Sequence, residues 1–240
     1  MRLQSSLARL TRLELDAYWG FPTVELVVFT GLLSVANRLE TGSGQLNQGF
    51  YGFGILIQIL MIGTITPRTF AGSINRREMV VLLSYPTKRW KILLSKIVVS
   101  FAVPFIALSL GVLLNTYLFG ASFLTFAPYV LMLVIAIQVL YWCSLSMFIS
   151  IMLKNEIVSV FVFLLFMFGL ELNPLTASGQ FAYLTQLRSN MVMYGSILSL
   201  VQGSGTLSSD FGIAIGFPLL VSFALILLAI AYFEKVMQLD

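Results

Sequence analysis

Apolar residues along this chain fall into long runs broken by short polar or charged stretches, and the period within each run predicts its element. In residues 1–19, Leu3, Leu7, Leu10, Leu13 and Ala17 recur at spacings of three and four, with Arg2, Arg9, Arg12 and Asp16 on the opposite face. That pattern predicts an amphipathic helix lying in a membrane interface. Tyr18 and Trp19 mark the headgroup level, and Glu14 projects onto the apolar arc, where it must meet something other than lipid tails. Continuous apolar runs then predict spans over residues 21–37 and 50–68. Residues 92–153 exceed one crossing, which takes about 20 residues, so a break at Gly120 to Pro128 divides them into spans 92–119 and 128–153. Lys154, Asn155 and Glu156 make a short turn before a Phe-rich span 157–172, and Pro174 stops it. Residues 174–210 are mixed in character, with two weakly helical stretches, Phe181 to Arg188 and Met191 to Val201, expected as short helices on the extracytoplasmic side. The last span covers 211–233, with a kink expected at Pro218. Gly49, Gly52, Gly54 and Gly63 read as ordinary membrane glycines, and Gly212 with Gly216 forms a G-x-x-x-G pair. For the polar residues inside the runs, Asn115, Gln138, Ser144 and Ser146, hydrogen bonds between helices are the expected use.

Composition strengthens this reading. Of the 240 residues 58% are hydrophobic and 10% charged, and the mean hydropathy is +0.95, outside the range of soluble globular chains. The expected fold is therefore an all-α integral membrane domain spanning 1–240, with six transmembrane helices and an interfacial N-terminal helix. The net charge of +4 needs no nucleic-acid partner, because the basic residues sit at span ends. With the N-terminus inside, Arg2, Arg9, Arg12, Arg68, Arg76, Arg77, Lys88, Arg89, Lys91, Lys96, Lys154 and Lys235 fall at the cytoplasmic boundary, and only Arg38 and Arg188 outside. The positive-inside rule then puts both termini in the cytoplasm of a multi-pass plasma-membrane protein. Histidine is absent and Cys143 is the only cysteine, which removes Ser/His and Cys/His catalysis, common zinc sites and an intrachain disulfide. Arg2, Arg9, Arg12, Glu14 and Asp16 interrupt any cleavable leader pattern. Glu25, one turn inside the first span, is a candidate contact on a substrate pathway.

Between the second and third spans lies a basic, amphipathic stretch, Gly72 to Lys96. Asn75 can cap a helix with Glu78 reaching back to it, Pro86 ends that helix near Tyr85, and Thr87 can cap the next. Met79, Val80, Leu82 and Leu83 form an apolar side, with Arg76 and Arg77 opposite. The sequence Leu82-Leu83-Ser84-Tyr85-Pro86, preceded by Glu78 and followed by Arg89 and Lys96 at the start of the next span, resembles the membrane subunit of type-2 ATP-binding-cassette (ABC) transporters.

The resemblance implies that residues 75–85 are a coupling helix docked in a groove of a separate ATPase subunit. Glu78 corresponds to the family's acidic coupling residue, and Leu82 to Pro86 to its Leu-Leu-x-x-Pro end. The partner-binding set is then Asn75, Arg76, Arg77, Glu78, Met79, Leu82, Leu83, Tyr85, Pro86 and Arg89. It further implies two ATPase subunits carrying ATP and Mg, a second permease chain identical or related to this one, and export of a hydrophobic or amphipathic compound. No G-x-x-x-x-G-K-[ST] phosphate loop occurs in the sequence, so the chain is expected to be no enzyme itself and to hold no cofactor. The competing readings are a secondary transporter or channel, disfavoured by the lack of an internal repeat or charged relay, and a non-catalytic membrane scaffold.

Overall fold

Long apolar runs without water must satisfy their backbone internally, and helices do so. The computed structural model describes residues 8–15, 60–84, 88–118, 126–171, 186–201 and 209–235, and among these there is helix and no strand. Helix α1 covers 8–15, and α2 covers 60–75 with a π-turn at Arg68–Gly72. Then come α3 (Glu78–Ser84), α4 (Arg89–Leu118), α5 (Ala127–Leu153), α6 (Glu156–Glu171), α7 (Gln186–Val201) and α8 (Phe211–Lys235). Helices α4, α5 and α8 are each long and apolar enough to cross a membrane, which makes this a membrane protein. The described part of helix α6 has 16 residues and rises about 24 Å. The expected first span 21–37, with Glu25, and most of the second, 50–68, lie outside the described residues, as do 119–125 and 172–185. Of the two weakly helical stretches expected before the last span, the first lies mostly outside the described residues, and a helix from Gln186 to Val201 covers the second.

Helix α5 is the hub. Its membrane-length stretch is 72% buried, against 44% for α4 and 22% for α8, and α2, α4, α6, α7 and α8 all pack on it. Midway along it Trp142, fully buried, meets the Phe163 ring edge-on at 5.8 Å and the Tyr141 ring at 5.1 Å. Phe163 in turn lies directly over Gly63 of α2: a Cβ there would sit 2.7 Å from two ring carbons. Gly63 is thus a close-packing glycine, contrary to the sequence expectation. No such closeness holds at Gly212 and Gly216, where an added Cβ would meet nothing within 4 Å, so that G-x-x-x-G pair joins nothing among the described residues.

Polarity is distributed as lipid demands. Ile157, Phe161 and Leu165 on α6 and Leu220, Phe223 and Leu227 on α8 face outward, while Ser95, Ser100, Gln138, Ser144, Ser146, Ser150, Ser159 and Ser222 are buried. Most of the buried hydroxyls donate to their own helix: Ser144 Oγ to Tyr141 O, Ser150 Oγ to Ser146 O and Ser222 Oγ to Pro218 O. The interhelical bonding expected of Ser144 is therefore local back-bonding. A bond between α4 and α5 does form. Pro104, inside α4, has no N–H to give the carbonyl four residues earlier, that of Ser100. Cys143 Sγ of α5 donates to that same Ser100 oxygen at 3.1 Å. The only cysteine thus serves the backbone.

Packing at Gly63 generates a differential prediction. Gly63→Ala forces the Phe163 ring off Trp142 and should cost about 1–3 kcal/mol, whereas Gly216→Ala, with open space around it, should be neutral or stabilising by up to about 1 kcal/mol. Thermal unfolding of both variants in one detergent measures the difference, and equal effects would remove the tight contact.

Candidate functional site

Chemistry-bearing side chains gather at one end of the bundle, where α2 leaves it and α4 begins. There Leu10, Phe70, Met79, Ile92, Leu93, Met147, Ile151, Ala229 and Phe233 form a single buried cluster. It draws on α1, α2, α3, α4, α5 and α8. Helix α3 is anchored by Met79, which is 0% exposed, with Leu82 and Leu83 packed against the same cluster. The apolar side that the sequence suggested as a ridge for a partner is therefore turned mainly into the chain's own core. What faces outward is Asn75, Arg76, Arg77, Glu78, Val81 and Ser84. Arg89 is also exposed, at the start of α4. Tyr85 and Pro86 lie outside the described residues.

The expected helix 75–85 starts later than its capping pattern suggested. Ser73–Asn75 continues α2 instead of capping α3. Arg76 N and Arg77 N donate to Gly72 O and Ile74 O at 2.9 and 3.0 Å, closing the last turn of α2. Arg77 then reverses the chain in the left-handed region, φ 59°, at a cost of about 1 kcal/mol, and α3 runs from Glu78 to Ser84. Glu78 Oε1 is taken by Arg76 Nε at 3.0 Å, both side chains half exposed at 48% and 53%. Such a pair contributes at most about 1 kcal/mol and stays accessible to a competing partner. Asn75 does not serve as the cap because its backbone is already helical, as the last residue of α2.

Beneath α3 the π-turn is held from two sides. On one side Lys96 Nζ, from the third turn of α4, donates to Glu14 Oε1 of α1 at 2.7 Å and to the Thr69 carbonyl at 3.2 Å. The Lys96 side chain is 3% and the Glu14 side chain 14% exposed. Glu14 thus does meet something other than lipid, as its place on the apolar arc required. On the other side Glu156, in the first turn of α6, lies over Gly72: a Cβ on Gly72 would be 2.6 Å from Glu156 Oε2 and 3.4 Å from Arg76 Nη2. Lys154 makes that approach possible by closing α5 with a left-handed residue, φ 55°, its N–H on Ser150 O at 3.0 Å. Asn155 Oδ1 then accepts the Val158 N–H at 3.2 Å, capping α6.

A second group lies deeper. Gln138, Trp142 and Ser146 recur every four residues on one face of α5, all buried. Gln138 Nε2, Trp142 Nε1 and Ser146 Oγ, with Ser100 Oγ, have no hydrogen-bond partner among the described residues. Glu25, the pathway candidate, lies outside those residues.

Sequence reasoning placed Lys96 and Gly72 at the basic end but missed the contacts they make there, those of Lys96 with Glu14 and the Thr69 carbonyl and of Gly72 with Glu156. A signal existed for the Lys96 contact: it is the last charge in this helix, about two turns in and followed only by apolar and small polar residues, so it must find an anion within the protein. The Gly72 contact is also testable. Gly72→Ala should cost less than about 1 kcal/mol, because it meets the free end of a flexible carboxylate, not backbone. Glu156→Ala should cancel that cost in a double-mutant cycle read by thermal unfolding; strict additivity would show that the two residues are not in contact. No protein-family model matches this chain, and no curated protein matches it.

Proposed function

We propose that the chain is the membrane-spanning subunit of an ATP-binding-cassette transporter, with α3 and the turn before it as the surface that docks an ATPase subunit. One observation carries this reading. Between two helices of the bundle the chain places a short helix pinned from inside by Met79, while a charged strip together with the apolar Val81, 59% exposed, faces away. A lever requires both properties: rigid attachment to the membrane helices and an accessible, oriented contact face.

In this reading the protein has six spans, both termini in the cytoplasm of a plasma-membrane protein, and the coupling segment on that side. Twelve of its fourteen basic residues support the orientation. Two such chains and two ATPase subunits make the transporter. ATP and Mg belong to the ATPases, whose closure displaces α3. Displacement of α3 moves α2 through the Arg76–Arg77 turn and moves α4 through the cluster that Met79 shares with Ile92 and Leu93. A hydrophobic or amphipathic substrate passes between the two membrane chains. Contact with the ATPase rests on Asn75, Arg76, Arg77, Glu78, Val81 and Arg89, and Met79, Leu82 and Leu83 hold the segment in place.

The test uses single cysteines in a Cys143→Ser background, in native membranes. A photo-crosslinker on Val81→Cys should capture an ATP-binding polypeptide, and Arg77→Glu should reduce the yield about tenfold, as loss of a charged contact worth some 1.4 kcal/mol does. The same probe on Leu227→Cys, on the outer face of α8, should capture none. Equal capture at both sites would contradict the docking surface.

A further inference from the structure

Lys96 has given up water almost completely, and an ammonium has three protons to place. Two acceptors from distant parts of the chain receive two of them: the Glu14 carboxylate at 2.7 Å, 82 positions away, and the Thr69 carbonyl at 3.2 Å, 27 positions away. That carbonyl is unusual in its own right. It lies within the π-turn Arg68–Gly72, where the helical ladder changes register, and it also accepts Ser73 Oγ at 2.8 Å. A π-turn is a weak point at which a helix can bend. Here the weak point is bridged by a cation whose other ligand sits on α1.

A buried ion pair is poor evidence of net stabilisation, since apolar residues of like volume commonly do as well, but it fixes which segments lie together. We infer that Lys96 is a positioning residue: its ammonium, held by Glu14 and the Thr69 carbonyl, locks α1, the π-turn and the base of α4 into one body. Motion of α3 then reaches α4 and α1 together and is not absorbed by bending at Arg68–Gly72. The use of that rigidity in transport rests on the docking role proposed above; the rigidity itself does not.

Hydrogen exchange on the full chain in lipid nanodiscs, read by mass spectrometry without any ATPase, tests the lock. Lys96→Met should accelerate exchange about tenfold in both 8–15 and 68–75 while α5 and α8 stay protected. Lys96→Arg, which keeps both donations, should retain protection in both segments. The charge exchange Glu14→Lys with Lys96→Glu should restore protection to 8–15 only, because a carboxylate at position 96 cannot donate to the Thr69 carbonyl. Unchanged exchange in Lys96→Met overturns the inference. So does acceleration spread over the whole bundle, or rescue of both segments by the charge exchange. Since no partner is in the assay, failure here leaves the docking surface standing, and failure of ATPase capture at Val81 leaves the lock standing.

Discussion

A hydrocarbon environment offers no water to a backbone carbonyl or a charge that has lost its partner, and the architecture of this protein follows from that constraint. At three places where the chain interrupts a helical ladder or carries an ion inward, another part of the chain answers it. Pro104 withdraws the donor for Ser100 O, and Cys143 supplies one from α5. The π-turn shifts the ladder at Thr69, and Ser73 and Lys96 converge on its carbonyl. Lys96 brings a positive charge into the bundle, and Glu14 meets it. Each answer ties together segments far apart in sequence, so the same requirement that satisfies polar groups also sets how the helices sit.

Within that frame packing divides the labour. The middle of the bundle is dense and aromatic, with Trp142 against Phe163 and Phe163 against the bare backbone of Gly63. The basic end is different. Its cluster is apolar inside, through Met79, Phe70 and Leu93, and ringed by ions outside, where Arg76, Arg77, Glu78 and Arg89 are exposed. A segment so fixed on one face and so charged on the other suits contact with a soluble partner, which is why the proposed function places the docking surface there.

Helical class and membrane character were legible in the sequence, because apolar run length and the near absence of charge leave few alternatives. Glu14 was legible as an anomaly, but its partner was not: residues 82 positions apart meet only once the helices are docked. The capping pattern around Asn75 and Glu78 misled because a neighbouring helix can run through a cap residue, and Ser73–Asn75 belongs to α2. Amphipathicity gave the two faces of α3 correctly but not which face meets the outside, since an apolar ridge serves a partner or the chain's own core equally well. The π-turn, Arg-Thr-Phe-Ala-Gly, leaves no pattern of its own in the sequence. Gly63 could not be told from other membrane glycines without the ring that lies over it.

The proposed function is that of a membrane chain driven by a separate ATPase. The most direct measurement is to purify the tagged protein from its native membrane in mild detergent and determine the stoichiometry and ATP turnover of what co-elutes. An ATP-binding subunit in a one-to-one ratio with this chain, and vanadate-sensitive turnover, are the predicted result. A homogeneous chain without an ATPase and without turnover, from membranes in which it is fully inserted, would contradict it.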